Sequence, residues 1–94
     1  IEIFPEDQAS QVLSTIYFDF DSAKIRSDQI STLKRNLDQI KALVDRGVTI
    51  VIEGHTCQIG SHAHNIHLSE QRAEAIRDWL VAQGIPANMI KVVG

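Results

Sequence analysis

The sequence predicts an α/β (α+β) two-layer sandwich in βαβαβ order, with both helices on one face of a small mixed sheet. Two observations predict it. The apolar residues switch along the chain between a period of two and a period of three to four, the signatures of strand and helix. Both helical stretches also carry a single apolar stripe, which calls for one sheet surface to cover it. A chain of 94 residues supports one such domain, spanning 1–94.

Residues 1–10 form a mixed, acidic lead-in interrupted by Pro5, and no element is assigned there. From Leu13, residues Ser14, Ile16, Phe18 and Phe20 alternate with Leu13, Thr15, Tyr17 and Asp19, which predicts a strand ending at the turn-forming Asp21-Ser22. Ile30, Leu33, Leu37, Ile40 and Val44 then recur at helical spacing, with Ser27 as expected N-cap and Gly47 as the stop. The run from Val48 to Glu53 is short, apolar and β-branched, as in a buried central strand. A polar loop from Gly54 to Leu68 holds two glycines and all four histidines. Ser69 is the expected cap of a second helix striped by Ala73, Ile76 and Leu80, bordered by Trp79 and stopped at Gly84. Pro86-Ala87-Asn88 makes a turn, and Ile90 to Val93 begins a third strand. Each strand–helix–strand unit predicts a right-handed crossover between parallel strands. The chain stops as this strand starts, so the sheet is expected to be small and truncated at its C-terminal end. It also opens at Ile1, as an excised or processed piece would.

Composition narrows the partners. The net charge of −3 leaves no clustered basic surface of the kind nucleic acid requires. No apolar run approaches the roughly 20 residues that span a bilayer, so membrane attachment would come only through a part of the protein not present here. Cys57 is the only cysteine, so no intrachain disulfide forms.

The informative stretch is Gly54 to Leu80, where a loop pours into the start of a helix. Free amides and the helix dipole make such a start receptive to a carboxylate. Arg72, one turn inside a helix that begins at Ser69, would grip the same anion bidentately. Asn65 and Ser69 add neutral hydrogen-bonding groups. The plainer interpretation is that Ser69 only caps and Arg72 is a solvated surface residue.

FDFDSAKI at Phe18–Ile25 resembles the first-strand signature of the OmpA-like family. GHT-x-x-x-G, then Asn65, then LS-x-x-RA, over Gly54–Ala73, resembles its second. With Gly84-Ile85 and the closing VVG, the resemblance covers nearly the whole chain. It implies binding of peptidoglycan through the diaminopimelate of the stem peptide; no cofactor and no metal are expected. It also implies a periplasmic location at the outer membrane or cell wall, and family members often form homodimers. Diaminopimelate presents an ammonium and a carboxylate on one carbon, so its pocket needs a matched acid and base. The resemblance assigns Arg72 to the carboxylate, Asn65 to polar contacts, and Asp21 to the rim of the pocket.

The pattern breaks at Cys57, which stands where the family has an aspartate, and at Ile59, where the family tends to a small polar residue. A thiol with a reference pKa near 8.5 is mostly neutral at pH 7 and a poor acceptor. Losing a charge-assisted hydrogen bond of about 1.5–3 kcal/mol would weaken binding about 10- to 150-fold. Three consequences stay open at this stage. Asp21 or Glu53 supplies the missing charge; the domain is an OmpA-like scaffold or protein-interaction module that has lost peptidoglycan binding; or it recognises an altered stem peptide. His62-x-His64-x-x-His67 matches no common zinc spacing, and these are read as surface histidines. Catalysis is not expected: there is no nucleophile elbow or phosphate loop, and a Cys57–His55 pair would lack an orienting acid.

Overall fold

The computed structural model describes residues 1–8, 10–54 and 62–93, so the expectations for His55, Cys57, Ile59 and the His62 side chain lie outside the described residues. The elements run β1 (Glu2–Pro5), β2 (Ser14–Thr15), α1 (Ser27–Asp45), β3 (Ile50–Glu53), α2 (His62–Ala82) and β4 (Ile90–Val93), with short 3-10 turns at Glu6–Gln8 and Ala87–Met89. The sheet order is β2-β1-β3-β4. β1 runs antiparallel to both neighbours, and β3 and β4 are parallel. It follows that β2, β3 and β4 share one direction, as two successive crossovers require, with β1 inserted between the first two.

The unassigned lead-in is therefore a central strand. Its four residues are too few to display a period, and Pro5 at its end gives up no ladder donor that the strand interior needs. The strand expected from Leu13 to Phe20 shrinks to Ser14–Thr15 for the complementary reason. Ile16 N–H still donates to Ile1 O at 2.8 Å. The next amide, Tyr17 N–H, goes instead to Gln29 Oε1 at 2.9 Å. The alternation persists through Phe18: Ser14 and Ile16 are buried, Thr15 and Tyr17 exposed.

Ile3, Ile50 and Ile52 of the sheet meet Leu33 and Ile40 of α1 and Ala73, Ile76 and Leu80 of α2 in one core. Both helices thus lie on one face, as the two stripes demand. Asn36 Nδ2 donates to buried Ser14 Oγ at 2.5 Å and pins α1 to the sheet edge. Ser27 is not the N-cap: Arg26 occupies that position with extended backbone and no side-chain cap bond, and Ser27 is the first helical residue. Gly47 (φ 83°) and Gly84 (φ 100°) take the left-handed conformation that stops each helix, without the Cβ penalty other residues meet.

Candidate functional site

The candidate site lies where β2 runs out and α2 begins. Asp19 to Ser22 closes a tight turn, with Ser22 N–H donating to Asp19 O at 3.2 Å. Asp21 sits at φ 53°, a region that aspartate tolerates better than most residues. Phe20, at the tip, is 78% exposed.

Arg72 holds this turn. Its Nε donates to Ser22 O at 2.7 Å and its Nη2 to Asp19 O at 2.9 Å, while the guanidinium carbon stands 5.2 Å from the centre of the Phe18 ring. One edge of the guanidinium fork therefore binds two backbone carbonyls of the chain itself. The Nη1 end donates to no partner among the described residues, and it is that end which retains bidentate geometry for an external carboxylate.

The turn's carboxylates are also engaged. Arg26 forks Asp28 through two 3.0 Å bonds and lies 3.3 Å from Asp19 Oδ1. His64 Nε2 meets Asp21 Oδ1 at 2.5 Å, with both side chains 55% exposed. Asp21 Oδ2 has no partner among the described residues. Asp21 thus places a negative charge beside the first turn of α2, where the helix dipole favours it.

Two expectations about α2 are corrected. The helix starts at His62, seven residues before Ser69, because the 62–68 stretch continues the helix instead of a loop. Ser69 therefore does not cap it. Its side chain is almost fully buried, and its Oγ has no hydrogen-bond partner among the described residues. It faces Gly54 so closely that a Cβ there would run into the hydroxyl and come within 2.9 Å of the Ser69 carbonyl oxygen. Arg72 is likewise not one turn but ten residues into the helix, about 15 Å along its axis. The dipole fades within the first turn, so helix start and guanidinium do not converge on one anion as the sequence suggested. What brings Arg72 to the site is the Asp19–Ser22 turn reaching back to it. No periodicity signals that contact; only an unusually polar turn after an apolar alternation hints at it.

Asn65 is buried in the first turn of α2 and has an interaction partner. Glu53, the second candidate for a substitute acid, alternates with core residue Ile52 and so lies on the sheet face away from α2, in register with Glu2. Of the two candidates, Asp21 is the one that belongs to the turn Arg72 holds.

A small mixed sheet with two helices on one face, and an arginine on the second helix holding the turn after β2, defines a two-layer α/β domain. A sequence model of the OmpA family matches residues 17–94, and the chain belongs to that family. It is 36% identical over 88 residues to a peptidoglycan-associated lipoprotein of Rhizobium meliloti (strain 1021), covering 94% of this chain and 49% of that protein. It is 35% identical over 81 residues to outer membrane protein A of Escherichia fergusonii, covering 86% of this chain and 33% of that protein. The crystal structure of the peptidoglycan-associated lipoprotein from Burkholderia pseudomallei superposes with a TM-score of 0.73 at 29% identity, over 83% of this chain and 64% of that one. The chain thus spans about half the length of the lipoprotein it matches.

Proposed function

We propose that this domain binds peptidoglycan non-covalently in the bacterial envelope, on the periplasmic side, and performs no chemistry on it. Its ligand group is the diaminopimelate of the stem peptide. The observation that carries the proposal is the posture of Arg72: one edge is spent on the Asp19 and Ser22 carbonyls, and the other, without a partner among the described residues, can take a carboxylate bidentately. Membership of a family that includes peptidoglycan-associated lipoproteins supports the choice of ligand.

In this reading the diaminopimelate carboxylate lies on the Nη1 end of Arg72. Its ammonium approaches Asp21 Oδ2, and Asn65 orients the pair. Cys57 stands where the family places the acid, so the ammonium has one charged partner fewer and affinity is reduced about 10- to 150-fold. Ile59 stands where the family tends to a small polar residue. Ser69 is left out of the contact set, since its hydroxyl is closed off under Gly54.

Sedimentation with purified sacculi tests this. The wild-type domain should be retained and then released by free meso-diaminopimelate. Arg72→Lys, which keeps the charge but loses the fork, should be retained much less. Failure of the wild type to bind at any salt concentration refutes the reading and leaves a scaffold domain whose ancestral pocket has decayed.

A further inference from the structure

We propose that His64 makes ligand binding at this site dependent on pH, by competing with the ligand's ammonium for the carboxylate of Asp21. The inference rests on the proposed function above and adds a regulator to it. Its basis is the direct contact of His64 Nε2 with Asp21 Oδ1 at 2.5 Å, joining the first turn of α2 to the tip of the Asp19–Ser22 turn.

Histidine is the side chain whose charge ordinarily changes between pH 5 and 8. As neutral imidazole, His64 donates one hydrogen bond and leaves the Asp21 charge available to a cation on Oδ2. As imidazolium it neutralises that carboxylate and places a positive charge within a few ångströms of the approaching ammonium. The two states differ by a like-charge repulsion and a lost attraction, both damped by water because the pair is half exposed. A fall in affinity of about three- to tenfold between pH 7.5 and 5.5 is the expected size.

The other charged groups described near this pair are engaged elsewhere or carry a constant charge. Asp19 is held by Arg26, which Asp28 at the start of α1 also holds. Arg72 keeps its charge throughout this range. Glu2 at the head of β1 lies in register with Glu53 and has its own partner. His67, one turn further along α2, is exposed. The control must therefore remove His64 alone.

Titration calorimetry with meso-diaminopimelate at pH 7.5 and 5.5, on wild type, His64→Gln and His67→Gln, decides the matter. Glutamine keeps a donor toward Asp21 but cannot gain a charge. Wild type and His67→Gln should lose affinity at the lower pH, while His64→Gln should show nearly equal affinity at both. Binding in the wild type that ignores pH, or a pH dependence that survives in His64→Gln, overturns the gate and leaves the proposed function standing. Absence of binding at both pH values, in the wild type and in Cys57→Asp alike, overturns both.

Discussion

Replacing Arg72 with alanine should destabilise the domain itself, before any ligand is considered. The side chain donates to Ser22 O and Asp19 O at 2.7 and 2.9 Å and covers the Phe18 ring at 5.2 Å. A hydrogen bond from a charged donor contributes about 1.5–3 kcal/mol, and the lower end applies here because one of the two is solvent-exposed. The cation–π contact adds about 0.5–1 kcal/mol. Allowing for water that replaces the lost donors, the net cost is about 2–3 kcal/mol. For a domain of this size that lowers Tm by roughly 10–20 °C. Urea unfolding followed by far-UV circular dichroism measures it, with Arg72→Lys as companion. Lysine restores a charge but cannot bridge both carbonyls, so it should recover less than half of the loss. A cost below about 0.5 kcal/mol for Arg72→Ala would refute the clamp and return Arg72 to the status of an ordinary surface residue.

Other substitutions probe the seating of α2. Ser69→Ala removes a buried hydroxyl with no partner among the described residues, so stability should stay level or rise by up to about 1 kcal/mol; a loss beyond 1 kcal/mol in urea unfolding would show that the hydroxyl is paired. Gly54→Ala drives a methyl group into Ser69 and should cost about 2 kcal/mol or more, visible as a lowered Tm. Near-neutral behaviour would mean that β3 and α2 are not in close contact there.

The periodic elements were legible because the principle that reads them is local. Leu33 and Ile40, or Ile76 and Leu80, announce their helices through spacing alone, and both pairs are in the core. The parallel pairing of β3 with β4 followed from the crossover rule. What escaped was set by distant partners. Glu2 to Pro5 is a strand because β2 and β3 flank it, not because of any pattern in four residues. The start of α2 was missed because His62 to Leu68 is polar and resembles a loop, while its helical state rests partly on Asn65 and Leu68 being buried. Within the candidate site, the motifs single out Arg72, Asp21 and Asn65 without indicating how they are arranged. A bond spanning fifty residues, from Arg72 Nε to Ser22 O, leaves no trace in local sequence. His64 looks like one of several loop histidines in the sequence, and its pairing with Asp21 depends on α2 beginning at His62.

The central claim is that an acid–base pair at this site reads diaminopimelate, with the acid half weakened by a thiol at position 57. Comparing the Kd of a diaminopimelate-containing stem peptide for the wild type and for Cys57→Asp addresses it most directly. The account predicts tightening of about 10- to 150-fold, the worth of one charge-assisted contact. Equal affinities in two folded proteins, or no binding by either, would contradict it.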